Sequence, residues 1–377
     1  MPEKTLKEKT AKGLMWGTIS NGAQLVLGTL FGIFLARILS PSDYGMVGLL
    51  TVFSQIASVL QDSGFRTALA NRREIVHEDY NAVFWFNVGT SCVMYLLLFF
   101  LAPLITEFYQ HSDAAANQDL SELTPLARFS FLGFVIASLG TAHYAYLFRT
   151  LQVKQKAIIT VISLTTSSTI GLTMALKGYA YWGLATQGIA FTTCNTILFW
   201  YFSKWRPTLP VSFHPLKEMF GFSSKLLAND ICNNINGNIL SVMLGRFYAV
   251  HDVGLYNQAN KWTSMVSTMV LGTIKDVAQP VLRNVETERE RHKRVFRKML
   301  RFNAFMVFPA LFGLALISRE LILITVTEKW LDCVPLMQIL CAGAFTVPIQ
   351  YLCATWSSPR ALGLSAMEHR RNGLDTD

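Results

Sequence analysis

Long runs without a charged residue constrain this chain more than any other feature of its sequence. Five segments contain no Asp, Glu, Lys or Arg over 20 to 26 residues: 13–36, 81–106, 129–148, 157–176 and 178–203. Segments 44–61, 302–318 and 333–358 are also uncharged, and 219–244 and 253–282 are long and apolar with internal charges. A helix needs about 20 apolar residues to cross the hydrocarbon layer of a bilayer. The sequence therefore predicts an all-α polytopic membrane protein with about ten transmembrane helices.

The distribution of the basic residues predicts the orientation of these helices. The formal net charge of +9 raises the question of nucleic-acid binding. If the N-terminus is cytoplasmic, however, 22 of the 33 Lys and Arg residues fall in cytoplasmic segments and six fall on the outer side. This positive-inside bias is typical of inner-membrane proteins. We expect a multi-pass protein of the inner (plasma) membrane with a cytoplasmic N-terminus, in contact with membrane lipids and without a nucleic-acid partner.

Two helix pairs share a short repeat. Residues 36–45, ARILSPSDYG, match residues 245–254, GRFYAVHDVG, at one Arg, one Asp and one Gly with an offset of 209. The same offset aligns Arg66 with Lys275, each at the cytoplasmic end of its predicted helix. Six predicted helices separate the copies, so both copies point the same way. The repeat predicts two parallel helical lobes around a central cavity, which is a common plan for transporters.

Longer stretches carry a resemblance to a known family. Residues 12–45, KGLMWGTISNGAQLVLGTLFGIFLARILSPSDYG, together with QDSGFRTALANRRE at 61–74 and DVGLYNQANKW at 252–262, are similar to the polysaccharide transporters. These are the Wzx-type lipid-linked oligosaccharide flippases of the multidrug/oligosaccharidyl-lipid/polysaccharide exporter superfamily. The resemblance covers about residues 10 to 353. It implies a two-lobed helical bundle that moves a polyprenyl-diphosphate-linked oligosaccharide outward for surface polysaccharide biosynthesis.

The C-terminal end departs from that family's pattern. Residues 354–377 are polar, whereas family members continue with further helices after the tenth. We expect an N-terminal lobe of six helices at 1–205, an incomplete C-terminal lobe of about four helices at 206–353, and a polar tail at 354–377. This arrangement is expected of a C-terminally truncated chain, and an inactive truncated product is one alternative function.

Four predicted helices each carry one polar stripe. On a helix that begins near Val253, Lys261 lies about 12 Å into a hydrocarbon layer roughly 30 Å thick. A charge on the lipid side costs roughly 2.5–3.5 kcal/mol or more, so we expect the stripes to line a common hydrated cavity. A lysine ammonium forms charge-assisted hydrogen bonds with phosphate groups, while side-chain amides form hydrogen bonds with sugar hydroxyls. The predicted substrate-binding residues are Lys261, Asn257, Asp230, Asn234, Gln55, Asn21 and Gln24, and the predicted cytoplasmic gate is Asp62, Arg66 and Lys275.

Structural roles are alternatives for several of these residues. Lys261 and Asp230 form a structural ion pair in one alternative. Asn-rich stripes also hold membrane helices together through hydrogen bonds. Asp62 and Arg66 are four residues apart at a helix end, where a local surface pair is the simpler interpretation.

Other function classes have weaker support. A membrane enzyme needs a cluster of carboxylates, histidines or metal ligands on an exposed loop, and the sequence shows none. It contains no phosphate-binding GxxxxGK[ST] loop, and we expect no cofactor. A cation-coupled multidrug exporter of the same fold is the nearer alternative, because Asp230 is an acidic residue inside a predicted span. A coupling cation is therefore a possible partner.

Overall fold

The computed structural model describes residues 6–62, 65, 69, 75–110, 120–150, 152–209, 214–284 and 289–343. These residues form eleven α-helices and one short 3₁₀ helix, with no strand among them. The α-helices are α1 Leu6–Ile38, α2 Pro41–Asp62, α3 His77–Gln110, α4 Leu123–Arg149, α5 Val153–Leu176, α6 Ala180–Phe202, α7 His214–Phe247, α8 Val250–Asn284, α9 Arg289–Leu316, α10 Ser318–Thr325 and α11 Cys333–Gly343. The all-α prediction is confirmed for the described part of the chain.

Local sequence explains where several helices begin and end. Pro41 is the first residue of α2, a position where the missing N–H costs nothing and the fixed φ suits a helix. After α5 the chain turns through Gly178, whose φ is +84°. The N–H of Gly178 donates to the carbonyl of Ala175 at 3.1 Å, and the N–H of Tyr179 donates to that of Met174 at 3.1 Å. This paired C-terminal pattern favours a glycine in the left-handed conformation.

Six helical segments in the described residues are long and apolar enough to cross a membrane. Helices α6, α7 and α8 have 23, 34 and 35 residues, so they also have the length of a span. The protein is therefore a multi-pass membrane protein, and the count of ten spans stays a prediction. The six segments are Met15–Ile38, Pro41–Gln61, His77–Gln110, Leu123–Arg149, Val153–Leu176 and Arg294–Leu316.

The first compact unit runs from Met1 to Gly254 and contains the candidate site. Within it α3 packs on α4, α5 on α6, and α1 on α5, while α2 packs on α4, α6 and α7. Its largest apolar cluster joins Leu49 of α2 and Tyr109 of α3 to Phe131 of α4 and Val250 of α8. This cluster fixes the start of α2 beside the end of α7.

The second compact unit runs from Leu255 to Asp377. Its described part contains most of α8 together with α9, α10 and α11, and α11 packs against α9 and α10. Trp330 and Met337 are completely buried in this unit. The boundary between the units falls inside α8, and the predicted lobes at 1–205 and 206–353 stay predictions, as does the tail from 354, which lies outside the described residues.

Candidate functional site

The repeated aspartates cap the two repeated helices. Asp43 Oδ2 accepts hydrogen bonds from the backbone N–H of Ser40 at 2.8 Å and from its hydroxyl at 2.7 Å, and Ser40 Oγ accepts one from the N–H of Asp43 at 3.3 Å. In the second copy, Asp252 Oδ2 accepts from the N–H of Ala249 at 3.3 Å. A carboxylate at this position satisfies an N–H group that the first helical turn leaves without a partner. The shared Asp of the repeat thus starts α2 and α8 in the same way.

The repeated glycines bring these two helix starts into direct contact. A Cβ added at Gly45 would overlap the carbonyl oxygen of Val250, and a Cβ added at Gly254 would overlap that of Pro41. Pro41 and Val250 are themselves 209 residues apart, as are the glycines. Each glycine therefore meets the other copy's first helical residue, a reciprocal contact that we call the glycine crossing. All four of these residues are buried.

Aromatic and basic side chains surround the glycine crossing. The ring of Tyr109 approaches Gly245 so closely that an added Cβ would lie 2.8 Å from Tyr109 Cε1. The Tyr109 hydroxyl donates to the Leu49 carbonyl at 3.3 Å. Arg246 Nη1 donates to the Phe108 carbonyl at 2.9 Å. The end of α3 is thereby tied to the start of α2 and the end of α7.

Farther along α2 and α7, predicted substrate-binding residues meet. Asn238 Nδ2 donates to Gln55 Oε1 at 2.7 Å and to the backbone carbonyl of Asn234 at 2.9 Å. Asn234 Nδ2 in turn donates to the backbone carbonyl of Asp230 at 2.8 Å. We call Asp230, Asn234, Asn238 and Gln55 the amide row. Among the described residues of this unit, no side chain donates a hydrogen bond to Oδ1 of Asn234 or of Asn238. Within this unit both oxygens can therefore accept a hydrogen bond from a ligand.

The remaining predicted binding residues are not part of the amide row. On α1, Asn21 is exposed, and Gln24 Nε2 donates to Ser20 Oγ at 3.1 Å. On α8, Asn257 is partly buried and Lys261 is exposed. Within the described part of its own unit, the Lys261 ammonium makes no hydrogen bond or ion pair.

The predicted cytoplasmic gate lies largely beyond what the structure describes. Asp62 ends α2 and Lys275 lies in α8, but their side chains are outside the described residues, and so is the whole of Arg66. The gate therefore stays a prediction.

The close approach at the glycine crossing and the role of Tyr109 were not predicted from the sequence. The signal for the crossing was present, because Gly45 and Gly254 occupy equal positions of the repeat. The common offset of 209 residues shows that the two glycines occupy equal positions of the repeat, but it does not show which residues each glycine contacts. Tyr109 carried no signal at all, since an aromatic residue near a span end is typical of interfacial anchors.

Comparisons with known proteins agree with these observations. A family model described as polysaccharide biosynthesis protein matches residues 34–335. The lipopolysaccharide biosynthesis protein WzxC of Escherichia coli (strain K12) is 29% identical over 345 residues, which cover 89% of this chain and 67% of that protein. The succinoglycan biosynthesis transport protein ExoT of Rhizobium meliloti (strain 1021) is 25% identical over 338 residues, which cover 89% of this chain and 66% of that protein. The chain thus spans about two thirds of the length of these relatives.

The fold is similar to that of a solved transporter. The lipid II flippase MurJ in an inward closed conformation superposes with a TM-score of 0.69 at 14% identity, over 92% of this chain and 76% of that one. This similarity supports the predicted fold of an all-α polytopic membrane protein, while the two lobes and the count of about ten helices stay predictions.

Proposed function

Because the chain belongs to the family of polysaccharide biosynthesis proteins, we propose that it moves a polyprenyl-diphosphate-linked oligosaccharide across the bacterial inner membrane for surface polysaccharide biosynthesis. In this proposal it is a transporter and not an enzyme, and it acts with its N-terminus in the cytoplasm. Its substrate has an apolar chain, an anionic diphosphate and a hydroxyl-rich head group.

The amide row is the observation that carries this proposal. Four polar side chains lie along helices α2 and α7, and both Asn234 and Asn238 use their NH₂ groups within the protein. Their Oδ1 atoms, together with the exposed Asp230 carboxylate, are acceptors for hydroxyl donors. Sugar hydroxyls are such donors, and an uncharged drug without hydroxyls is not.

Lys261 supplies the positive charge in this proposal. It lies 11 residues into α8, and its ammonium has no partner in the described part of its unit. An unpaired ammonium inside a membrane protein is costly unless water or an anion contacts it. A diphosphate that passes through the protein provides that anion.

The glycine crossing supports alternating access. It closes the ends of α2, α7 and α8 that face outward in the proposed orientation. Backbone packing holds the contact, since Gly45 and Gly254 contribute no side chains. Such a contact can separate without the loss of an ion pair, which suits a gate that opens in each transport cycle.

A cation-coupled multidrug exporter remains the second candidate, and the exposed Asp230 carboxylate is the observation that favours it. A membrane carboxylate of this kind is typical of cation and proton relays. In the proposed function the same carboxylate is where a coupling cation would bind.

A vesicle assay tests the proposal directly. The purified chain is reconstituted into vesicles of phosphatidylethanolamine and phosphatidylglycerol that contain an undecaprenyl-diphosphate disaccharide with a fluorescent nitrobenzoxadiazole group on the sugar. External dithionite destroys the label only in the outer leaflet. We expect the protein to make the inner-leaflet label accessible, Lys261→Ala to abolish this, and Lys261→Arg to retain part of it.

Lys177→Ala is the matched control, because Lys177 is an exposed lysine at the end of α5 and belongs to none of the predicted sites. Normal lipid movement by a well-folded Lys261→Ala protein would remove Lys261 from the substrate path. Vesicles that transport ethidium under an ion gradient but never the labelled lipid would establish the multidrug alternative instead.

A further inference from the structure

A polar cavity lies inside the first compact unit, between α2, α4 and α6. Its volume is about 210 Å³, and none of the predicted substrate-binding residues lines it. The walls include Gln61 of α2, Thr141 and Tyr144 of α4, and Asn195 and Phe199 of α6. Every lining residue is uncharged.

Two amide groups at this cavity are buried without a partner. Gln61 is only 4% exposed, and its Nε2 donates no hydrogen bond to the described residues. Oδ1 of Asn195 is equally buried and accepts none from them. A buried polar group without a partner costs about 1–3 kcal/mol, so native structures almost always satisfy such groups. One free donor and one free acceptor in the same cavity indicate a ligand that has both functions.

Hydroxyls and aromatic rings complete the walls. The hydroxyls of Thr192 and Thr196 donate to the carbonyls of Gly188 at 3.1 Å and Ile136 at 3.0 Å, so their oxygens keep free lone pairs. The rings of Tyr144 and Phe199 meet edge to face with centroids 5.7 Å apart. Lys156 Nζ lies 4.0 Å from the centroid of Tyr144, but Lys156 is not among the lining residues.

The chemistry of the walls selects the class of ligand. A charged group would enter a cavity without a counter-ion, which is strongly unfavourable. The volume lies below the roughly 300 Å³ at which pockets for drug-sized molecules begin, so the cavity suits a single ring. Amides, hydroxyls and aromatic faces together match a neutral ring that carries hydroxyl groups on an apolar carbon skeleton.

We propose that this cavity binds one neutral sugar ring of the lipid-linked oligosaccharide, an inference that rests on the proposed function. The lining residues lie in the last part of α2 and in the C-terminal halves of α4 and α6. All three helices run toward the cytoplasm in the proposed orientation, which is the side from which the substrate enters. The cavity recognises the head group, while the diphosphate is bound elsewhere.

Saturation-transfer NMR on the purified full chain tests this inference with simple probes. These are the neutral methyl α-glucoside and methyl β-galactoside, the anionic methyl β-glucuronide, and glycerol, which represents a lipid head group. We expect a signal from at least one neutral glycoside and none from the glucuronide or glycerol. Gln61→Ala and Asn195→Leu should each weaken the apparent affinity roughly fivefold or more, as expected for the loss of one buried hydrogen bond.

The matched control is Gln187→Ala, on the same helix as Asn195. Its amide donates to Ser168 Oγ at 3.2 Å and does not line the cavity, so glycoside binding should be unchanged. If Gln61→Ala fails to fold, Asn195→Leu at a partly exposed position provides the second measurement.

Three results would overturn the inference: no signal from either neutral glycoside, a signal that both variants retain, or an equal signal from glycerol or from the glucuronide. The vesicle assay on the same preparation separates this failure from that of the proposed function. If the protein moves the labelled lipid but binds no glycoside, the proposed transport function stands and the proposed sugar site is wrong. If it binds the glycoside but moves no lipid, the sugar site stands and the proposed transport function is wrong.

Discussion

The glycine crossing permits a prediction whose size follows from the structure. In Gly254→Ala the new methyl group would lie 2.7 Å from the Pro41 carbonyl carbon and 3.1 Å from the Gly45 nitrogen. Non-bonded carbon atoms prefer about 3.5–4.0 Å, so α2 and α8 must separate by about 1 Å at this point. All of the clashing atoms belong to the backbone, and no change of rotamer can relieve the overlap.

The energetic cost follows from the overlap alone. Overpacking of this kind costs typically 1–3 kcal/mol. The higher helix propensity of alanine stabilises α8 equally in the closed and the separated arrangement, so it does not change the balance between them. The closed crossing should therefore lose about 2 kcal/mol, a shift of about thirtyfold toward separated helix ends. Gly45→Ala together with Gly254→Ala should cost less than the sum, because one separation relieves both clashes.

Thiol labelling at Met46 measures this shift. Met46 is 7% exposed and packs in the same cluster as Val250 and Val253. In a full chain whose native cysteines are replaced, Met46→Cys should react slowly with a membrane-impermeant maleimide and much faster when Gly254→Ala is added. The matched control is Gly237→Ala on α7, where an added Cβ meets nothing within 4 Å. Equal labelling rates in the Gly254→Ala and Gly237→Ala backgrounds would show that the added methyl group does not open the crossing.

Two further predictions concern the amide row and the orientation. The 2.7 Å hydrogen bond between Asn238 and Gln55 connects two membrane helices. In a double-mutant cycle of unfolding in mixed micelles, Gln55→Leu and Asn238→Leu should therefore show a coupling energy of about 0.6 kcal/mol, and at most about 1.7 kcal/mol. Additive effects of the two substitutions would mean that the bond does not form. In intact cells an impermeant maleimide should label Ser121→Cys, at an exposed residue just before α4. The same reagent should reach Lys204→Cys, at an exposed residue just after α6, only after lysis. The opposite pattern would invert the proposed topology.

Helices and their capping were within reach of sequence analysis because both depend on local interactions. The uncharged runs predicted helices that the structure places in α1 to α6. The two aspartates of the repeat, Asp43 and Asp252, lie in the first turns of α2 and α8, where their carboxylates accept backbone hydrogen bonds. A capping aspartate contacts a backbone group three residues away, so its effect is contained in a short stretch of sequence. Family membership was predictable for the same reason, since it rests on contiguous motifs such as LSPSDYG.

The partners of the polar side chains depended on packing. The stripe containing Asn234 and Asn238 was visible from its spacing, but the choice of Gln55 as a partner 183 residues away was not. The binding roles of Lys261, Asn257, Asn21 and Gln24 stay predictions. The polar cavity between α2, α4 and α6 combines Gln61 with Asn195, and these two residues share no spacing or motif.

The sequence alone predicted that the chain is helical and crosses a membrane, that two helix pairs share a repeat, and which family the chain belongs to. Three contacts became visible only once the helices were packed. Gly45 meets Val250 while Gly254 meets Pro41, α7 donates an amide hydrogen bond to α2, and Gln61 shares a cavity with Asn195. Spans, caps and motifs follow from hydrophobicity and hydrogen bonds over a few residues. Contacts between distant helices follow from how their surfaces pack, and a one-dimensional pattern does not contain the rotation and depth of each helix against its neighbours.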